Sequence, residues 1–554
     1  MKKKLLVIGL DGASFDVLDP LIEKGRLKNL AALIARGARA DLITTFPPIT
    51  AVAWSSFMTG KNPGKHGIFE FVRLDHDSKR ELAVNASFRQ GHAIWDLLSD
   101  AGERVVVHNF PCTYPPHEVN GLMIADFMTP RGRRDFTFPA SLLSEIEEKF
   151  GPYRLHLSQT YANRNVEGVL DELFDELEYK AKVSEYLMTS YEWDAFFQYF
   201  WGTDRIQHEL WHIIDEAHPR HDEREARLYR ERVYAYFDRV DEIVGRLVEL
   251  AGEGALVCVA SDHGFGPAHK YCSFNIWLLQ EGFLKLKRDP MTRIKQTMFN
   301  LGLTPELAFK LIKKLPLALR PSRGVSNQPG ASNLLSRLFL SFNDVDWNRS
   351  VAFSKGNYGQ IYVNLKGREP NGAVEERDYD SVCEAIVARL KALEDPATGE
   401  AWADKVFRRE QVYHGPRVSD APDIAFLPRD MRYLALGNAD FTSNQFMVDA
   451  FGISGCHRMN GVLIASGGGA VKPATQAKAA RIEDVTPTLL YLMGRPLPDD
   501  LDGQVLTEMI SSEYLNANPR LTSQTNTEQS SEVQFLPEEN EEIIERLKSL
   551  GYMG

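Results

Sequence analysis

The sequence predicts a doubly wound α/β fold with a mostly parallel sheet, and three observations carry that prediction. Short β-rich runs alternate with helical stretches through residues 1–285. The runs lack polar alternation, as parallel strands buried on both faces do. The pattern returns near residue 460, so one sheet is built from both ends of the chain. With 554 residues, 44% hydrophobic and 25% charged, the chain is ordinary globular protein but too long for one simple core.

The first strand is KLLVIGL, followed by LIEKGRLKNLAALIARG as a helix closed by Gly37. GERVVVHNF, DAFFQYFW and GALVCVASD repeat the strand pattern, with helices between them. NGVLIASG is a further strand and EDVTPTLLYLMG a further helix. The catalytic core is therefore expected over residues 1–285 and 431–510. Residues 286–430 break the alternation with Pro-punctuated helices, the turn-rich SRGVSNQPGASN and the strand-like GQIYVNLKGREPNG, and read as an insertion or cap. Residues 511–554 read as a polar, disordered linker ending in a short amphipathic helix, PEENEEIIERLKSLGYMG, that docks on the surface.

Composition excludes several classes. A net charge of −12 argues against a binder of nucleic-acid duplex. Five scattered cysteines without CxxC spacing indicate neither a disulfide framework nor a thiolate zinc site. The apolar run Leu5–Leu10 is too short for a signal peptide, and no run approaches a membrane span, so a reduced, cytoplasmic protein is expected. Between Lys285 and Arg323 ten basic residues face two acidic ones, a local reversal of sign. It reads as a solvated helical face with Ile294, Met298, Phe309 and Ile312 packed inward, or as a steering patch for an anionic substrate or a weak anionic-membrane contact.

In such a sheet functional groups gather beyond the carboxyl ends of the strands. Asp11, Asp204 and the pair Asp262–His263 each follow a predicted strand. Asp204 and His208 stand four apart, on one face of a helix. His457 sits among small residues before a strand. Carboxylate and imidazole together suit Zn2+ or a similar first-row divalent ion. Six such residues are too many for one tetrahedral ion and fit two ions that clamp an in-line phosphoryl displacement. Thr50, between two prolines and an apolar run, is either a helix cap or a metal-activated nucleophile at a helix start that attracts phosphate.

VIGLDG, PPITAVAWSSFMTGKNPGKHGI, TDRIQH, SDHGFG and GCHRMNGVLI, in this order, resemble the alkaline phosphatase superfamily, and within it the type I phosphodiesterase/nucleotide pyrophosphatase group. GQIYVNLKGREPNG and RPLPDDLDGQVL resemble its bacterial and archaeal phosphohydrolase or phosphomutase branch. The resemblance implies one ion on Asp204, His208 and His457 and another on Asp11, Asp262 and His263. Thr50 would be the nucleophile, also reaching the metals, with a phosphothreonine that water hydrolyses. Zn2+ is the first expectation for both ions, with Mn2+ or Fe as alternatives. The chain departs from the group at Phe71, where the group usually has an Asn that contacts the phosphate; Arg73, Asn109 or Lys355 are candidate substitutes. TAVAW around Thr50 lacks the pattern that sulfatases need. The expected activity is hydrolysis of a small phosphoester, a diester or other substituted phosphate. A phosphomutase is the alternative, and a non-catalytic binder is disfavoured because all six ligands and the hydroxyl are present.

Overall fold

The computed structural model describes residues 3–75, 81–158, 165–305, 307, 338–396, 398–437, 441–525 and 532–550. Its main body is a ten-stranded sheet: β1 (Leu5–Leu10), β2 (Gly37–Ile43), β3 (Val105–His108), β4 (Gly121–Ile124), β5 (Thr137–Phe138), β6 (Ala195–Phe200), β7 (Leu256–Ala260), β8 (Asn460–Ser466), β9 (Thr475–Gln476) and β10 (Ala480–Arg481). They lie in the order β9-β2-β8-β7-β1-β6-β3-β4-β5, with β10 also paired to β2. β1 pairs in parallel with both β6 and β7, while β8 runs antiparallel to β2 and β7, and β5 to β4. Every residue of β1, β6 and β7 is buried, as uninterrupted apolar runs require.

The helices that matter for the site are α1 (Phe15–Glu23), α2 (Lys28–Arg36), α3 (Thr50–Thr59), α4 (Gly202–Ile214), α5 (Val485–Leu492) and α6 (Pro537–Ser549). The single helix expected over 21–37 is two, α1 and α2. Gly25 adopts φ +73°, a left-handed turn that lets the chain reverse between them. Gly37 caps α2, its N–H donating to the Ile34 carbonyl, and also opens β2, where a Cβ would lie 2.1 Å from the Ala465 carbonyl oxygen on β8. α3 is buried along its whole length. Its Trp54 packs edge-on against Phe57, Phe110 and Tyr199 at 5.0, 5.2 and 5.6 Å, and lies so close to β1 that a Cβ on Gly9 would sit 2.8 Å from its ring.

A second core gathers Phe274, Trp277, Ile361, Trp402, Ile424, Phe426 and Phe441. Around it a four-stranded antiparallel sheet orders Ala352–Lys355, Gln360–Val363, Ile424–Pro428 and Ala403–Arg408. A three-stranded sheet places Lys270–Ser273 between Tyr433–Leu436 and Met447–Asp449. Described residues within 286–430 contribute strands to this body, and so does flanking chain on both sides. In the helix Pro290–Asn300 the inward face is Thr292, Lys295 and Phe299, not Ile294, which is 56% exposed. Lys295 turns inward because Asp344 meets it at 3.0 Å. Lys310, Lys313, Lys314, Arg320, Arg323, Phe309 and Ile312 lie outside the described residues.

The stretch expected to be a disordered linker carries structure in its described part: Thr522–Ser523 pairs with Leu497–Pro498, and Thr525 bonds Asp499 and Asp500. α6 then docks through Ile543 and Leu547, both fully buried. Asn540 brackets the strand Glu81–Ala83, accepting from the Ala83 N–H at 2.7 Å and donating to the Glu81 carbonyl at 2.8 Å. All five cysteines are buried and unpaired. No helix among the described residues is long and apolar enough to cross a membrane.

Candidate active site with two metal-binding clusters

The carboxyl ends of the three central strands meet here. Asp11 leaves β1, Asp204 enters α4 after β6, and Asp262 and His263 leave β7. His457 arrives on the short strand Gly455–Arg458, which pairs antiparallel with Gly264–Pro267 and so is pinned beside His263. Gly12 makes the turn after β1 possible: its φ is +63°, and a Cβ there would lie 2.9 Å from the Phe265 ring.

The side chains fall into two clusters. In the first, Asp204 Oδ1 lies 3.3 Å from both His208 Nε2 and His457 Nε2, and the two Nε2 atoms are 2.9 Å apart. In the second, His263 Nε2 lies 3.4 Å from Asp11 Oδ1 and 3.3 Å from Asp262 Oδ2. The clusters touch, because the His263 and His457 rings stack at 3.5 Å. Both are completely enclosed by protein.

Each imidazole is oriented by its other nitrogen. His208 Nδ1 faces the Gly455 carbonyl at 2.9 Å, His457 Nδ1 the Pro48 carbonyl at 2.7 Å and His263 Nδ1 the Gly264 carbonyl at 3.1 Å. A carbonyl only accepts, so Nδ1 carries the proton and each Nε2 presents a lone pair. Two lone pairs 2.9 Å apart repel unless a cation lies between them. Asp11 Oδ1 and Asp262 Oδ2 are buried without any hydrogen bond. A buried carboxylate oxygen with no donor is costly unless a positive charge compensates it. The donor set, its tautomers and its bare oxygens therefore fit divalent cations.

The electrostatics agree. Burial, then the charges of Asp262 and Asp204, raise the Asp11 carboxyl well above its ordinary value. Burial pushes Asp204 upward too, but contact with His208 and His457 in their protonated form, whose positive charge a divalent ion would replace, outweighs it and holds it well below its ordinary value. Burial lowers His263 to about 4 and also lowers His457, so both are neutral ligands at pH 7. The Tyr199 hydroxyl donates to Asp11 Oδ2, the Gly12 N–H donates to Asp262 Oδ1 at 3.2 Å, and Gln207 Nε2 donates to the Gly12 carbonyl at 2.9 Å. These contacts fix the carboxylates from behind.

Thr50 opens α3, but the residue before it, Ile49, is the helix cap, and no side chain caps this helix. Its hydroxyl is fully buried, 3.4 Å from His263 Nε2. The far end of α3 is anchored by the chain at 500–503. Lys61 pairs with Asp500, Lys65 with Asp502 at 2.7 Å, and the Asn62 N–H donates to Asp502 at 2.8 Å. This explains why the GKNPGKHG and PDDLDG segments go together.

The substitutes considered for the missing Asn are all engaged elsewhere. Arg73 pairs with Glu532, and Lys355 meets Glu81 at 3.2 Å. Asn109 donates to the Ala125 carbonyl at 2.6 Å and accepts from Tyr153 at 2.8 Å. Phe71 is a core residue, 1% exposed. Sequence reasoning did not single out Tyr358, whose ring stacks on His457 at 4.9 Å. It rides on a hairpin turn between strands Ala352–Lys355 and Gln360–Val363, shaped by Gly356 (φ +72°) and Gly359 (φ +75°). The run KGNYG, an aromatic in a glycine turn, was its only mark in the sequence.

Residues 5–445 match the family described as type I phosphodiesterase / nucleotide pyrophosphatase. The chain belongs to that family. It is a family of phosphoester hydrolases, and membership makes the chain an enzyme of this class. Solved structures of the same fold include murine ectonucleotide pyrophosphatase/phosphodiesterase 5, in an inactive threonine-to-alanine form with AMP, at 13% identity and TM-score 0.50 over 92% of this chain and 100% of that one. Phosphonoacetate hydrolase from Sinorhizobium meliloti 1021 superposes with TM-score 0.53 at 15% identity, over 89% of this chain and 95% of that one. At these identities the likeness is one of fold. No curated protein sequence matches significantly.

Proposed function

We propose that the chain hydrolyses a phosphodiester or other substituted phosphate through a pair of divalent ions and Thr50 as nucleophile. The observation that carries this reading is the Thr50 hydroxyl, buried 3.4 Å from His263 Nε2 in a helix whose cap is another residue. Asp204, His208 and His457 would hold one ion, and Asp11, Asp262 and His263 the other. Bound there, Zn2+ would lower the pKa of a neighbouring hydroxyl and offset charge on the phosphoryl oxygens. The first amides of α3 have no carbonyl a turn earlier to bond, so they and the helix dipole favour a phosphate beside Thr50. Thr50 Oγ1 forms the new P–O bond as the ester oxygen leaves, and water then cleaves the phosphothreonine. Burial of the clusters keeps bulk water from competing at the first step. The murine protein of the same fold is inactive when one threonine is replaced by alanine, which fits a threonine nucleophile.

Metal analysis combined with hydrolysis of bis(p-nitrophenyl) phosphate and p-nitrophenyl phosphate tests the reading. We expect two equivalents of metal and faster diester turnover. Thr50→Ala should lose at least about a thousandfold in kcat while keeping its metal, and Thr50→Ser should retain part of the activity. A Thr50→Ala variant with near-normal kcat would remove Thr50 from the mechanism. A mutase would instead return the phosphoryl group to the substrate, so phosphate release into 18O-labelled water separates the two.

A further inference from the structure

Between the two bodies lies a cavity of about 380 Å³. One wall is the chain from Gly67 to Glu70; the other is the hairpin that carries Tyr358, through Lys355, Gly356 and Gln360. The same hairpin carries Tyr358 to the reacting centre. Its ring stacks on His457 at 4.9 Å.

Glu70 is a buried group that the mechanism leaves unused. It is 6% exposed. Its Oε2 faces Gln360 Nε2 at 3.4 Å, while Glu70 Oε1 and Gln360 Oε1 are both buried without a hydrogen bond. Among the described residues no cation pairs with Glu70. The cations around the cavity are already matched: Arg73 with Glu532, Lys355 with Glu81, Arg368 with Asp423 and Arg417 with Asp420. Acidic side chains outnumber basic ones in the described lining, six to four.

The unsatisfied oxygens on adjoining side chains call for a ligand that donates hydrogen bonds, and a carboxyl that burial keeps protonated up to about pH 8 with no cation beside it ionises once a protonated amine sits against it. The rings of Phe69, Phe353 and Tyr362 line the same space and favour a cation against their faces. We propose that this cavity seats the organic part of the substrate and selects a protonated amine, so that the substrates are aminoalkyl phosphoesters held by Glu70 and Gln360. The reacting end of such a substrate rests on the hydrolase reading; the recognition of the amine does not.

The test compares two probes of equal size, 2-aminoethyl phosphate and 2-hydroxyethyl phosphate, titrated by calorimetry into the metal-loaded Thr50→Ala protein, where turnover cannot interfere. The amine should bind at least about tenfold more tightly, the size of one desolvated charge contact. Adding Glu70→Gln should bring the ratio to about one by weakening the amine alone. Equal affinities before that substitution, or a preference that survives it, would overturn the proposal. Should Glu70→Gln not fold, the two-probe comparison on the Thr50→Ala protein still decides. Hydrolysis of bis(p-nitrophenyl) phosphate by the unsubstituted protein is measured separately. Its absence alongside a tenfold preference defeats the hydrolase reading and upholds the amine site; turnover without the preference does the reverse.

Discussion

His457 is bound into the site from both sides: its Nδ1 is fixed by the Pro48 carbonyl and its ring lies between those of His263 and Tyr358. Only its Nε2 is left to act, shared with Asp204 and His208. His457→Ala and Asp204→Ala should each lose about one equivalent of metal and most of the activity, and chelation of the unsubstituted protein should remove activity reversibly. Full metal content in both variants, measured by elemental analysis, would take them out of the ligand set. These residues were legible in the sequence because each stands at a strand end or at helical spacing from another, and such positions fix direction without knowledge of the tertiary fold. Tyr358 and Glu70 were not. One comes from a hairpin of the second body and the other from a loop after α3, and only folding brings those two segments to the same cavity.

At the scale of elements, the strands read correctly from uninterrupted apolar runs, while β2 and the break between α1 and α2 were missed. β2 has the mixed sequence GARADLI, and its place is set by pairing with β8, some 420 residues away, rather than by its own pattern. The lock on α3 is similar: nothing in PDDLDG alone says that it grips GKNPGKHG. Asp502 accepts from the Asn62 N–H at 2.8 Å and meets Lys65 at 2.7 Å and His414 at 2.9 Å. Its carboxyl lies below the ordinary range: burial pushes it up, but the Asn62 N–H, Lys65 and His414 outweigh that. Asp502→Ala strands a buried N–H and a half-buried ammonium, so we expect a loss of about 2–3 kcal/mol, read as a lower denaturation midpoint in urea. An unchanged midpoint would mean that the turn after α3 holds itself.

For the molecule as a whole, burial has fixed the protonation of two opposed sets of groups, and they define where the protein is most stable. His66 and His108 are fully buried, and burial first, then Arg89 for one and Lys180 for the other, lowers both to about 3. Neither is a candidate ligand: His66 bonds Ser56, and His108 bonds Gln198 and Tyr153. His156 and His212 are likewise lowered to about 3, mainly by burial. Each stays neutral in the native state while the unfolded chain takes up a proton below about pH 6.5, so stability falls as the pH drops from there toward 3. Glu70 and Asp126 act in the other direction, since burial raises them to about 8 and about 7. They keep their protons in the native state where the unfolded chain has lost them, so their contribution is full below about pH 4 and is lost as the pH rises through 7 and 8. Between pH 4.5 and 6.5 the lowered histidines, eight with His218, His263, His269 and His457, outnumber the raised carboxyls, five with Asp11, Asp241 and Glu483, and above 6.5 the carboxyls dominate. With chelator present, so that metal release does not contribute, the unfolding free energy should therefore peak near pH 6.5 and decline on both sides. His66→Gln should flatten the acid limb, and Glu70→Gln the alkaline limb, each by one proton, about 1.4 kcal/mol per pH unit. Urea midpoints from pH 4.5 to 8.5 measure both slopes, and a maximum at pH 8 or above, or limbs that neither substitution changes, would show that other groups set the balance.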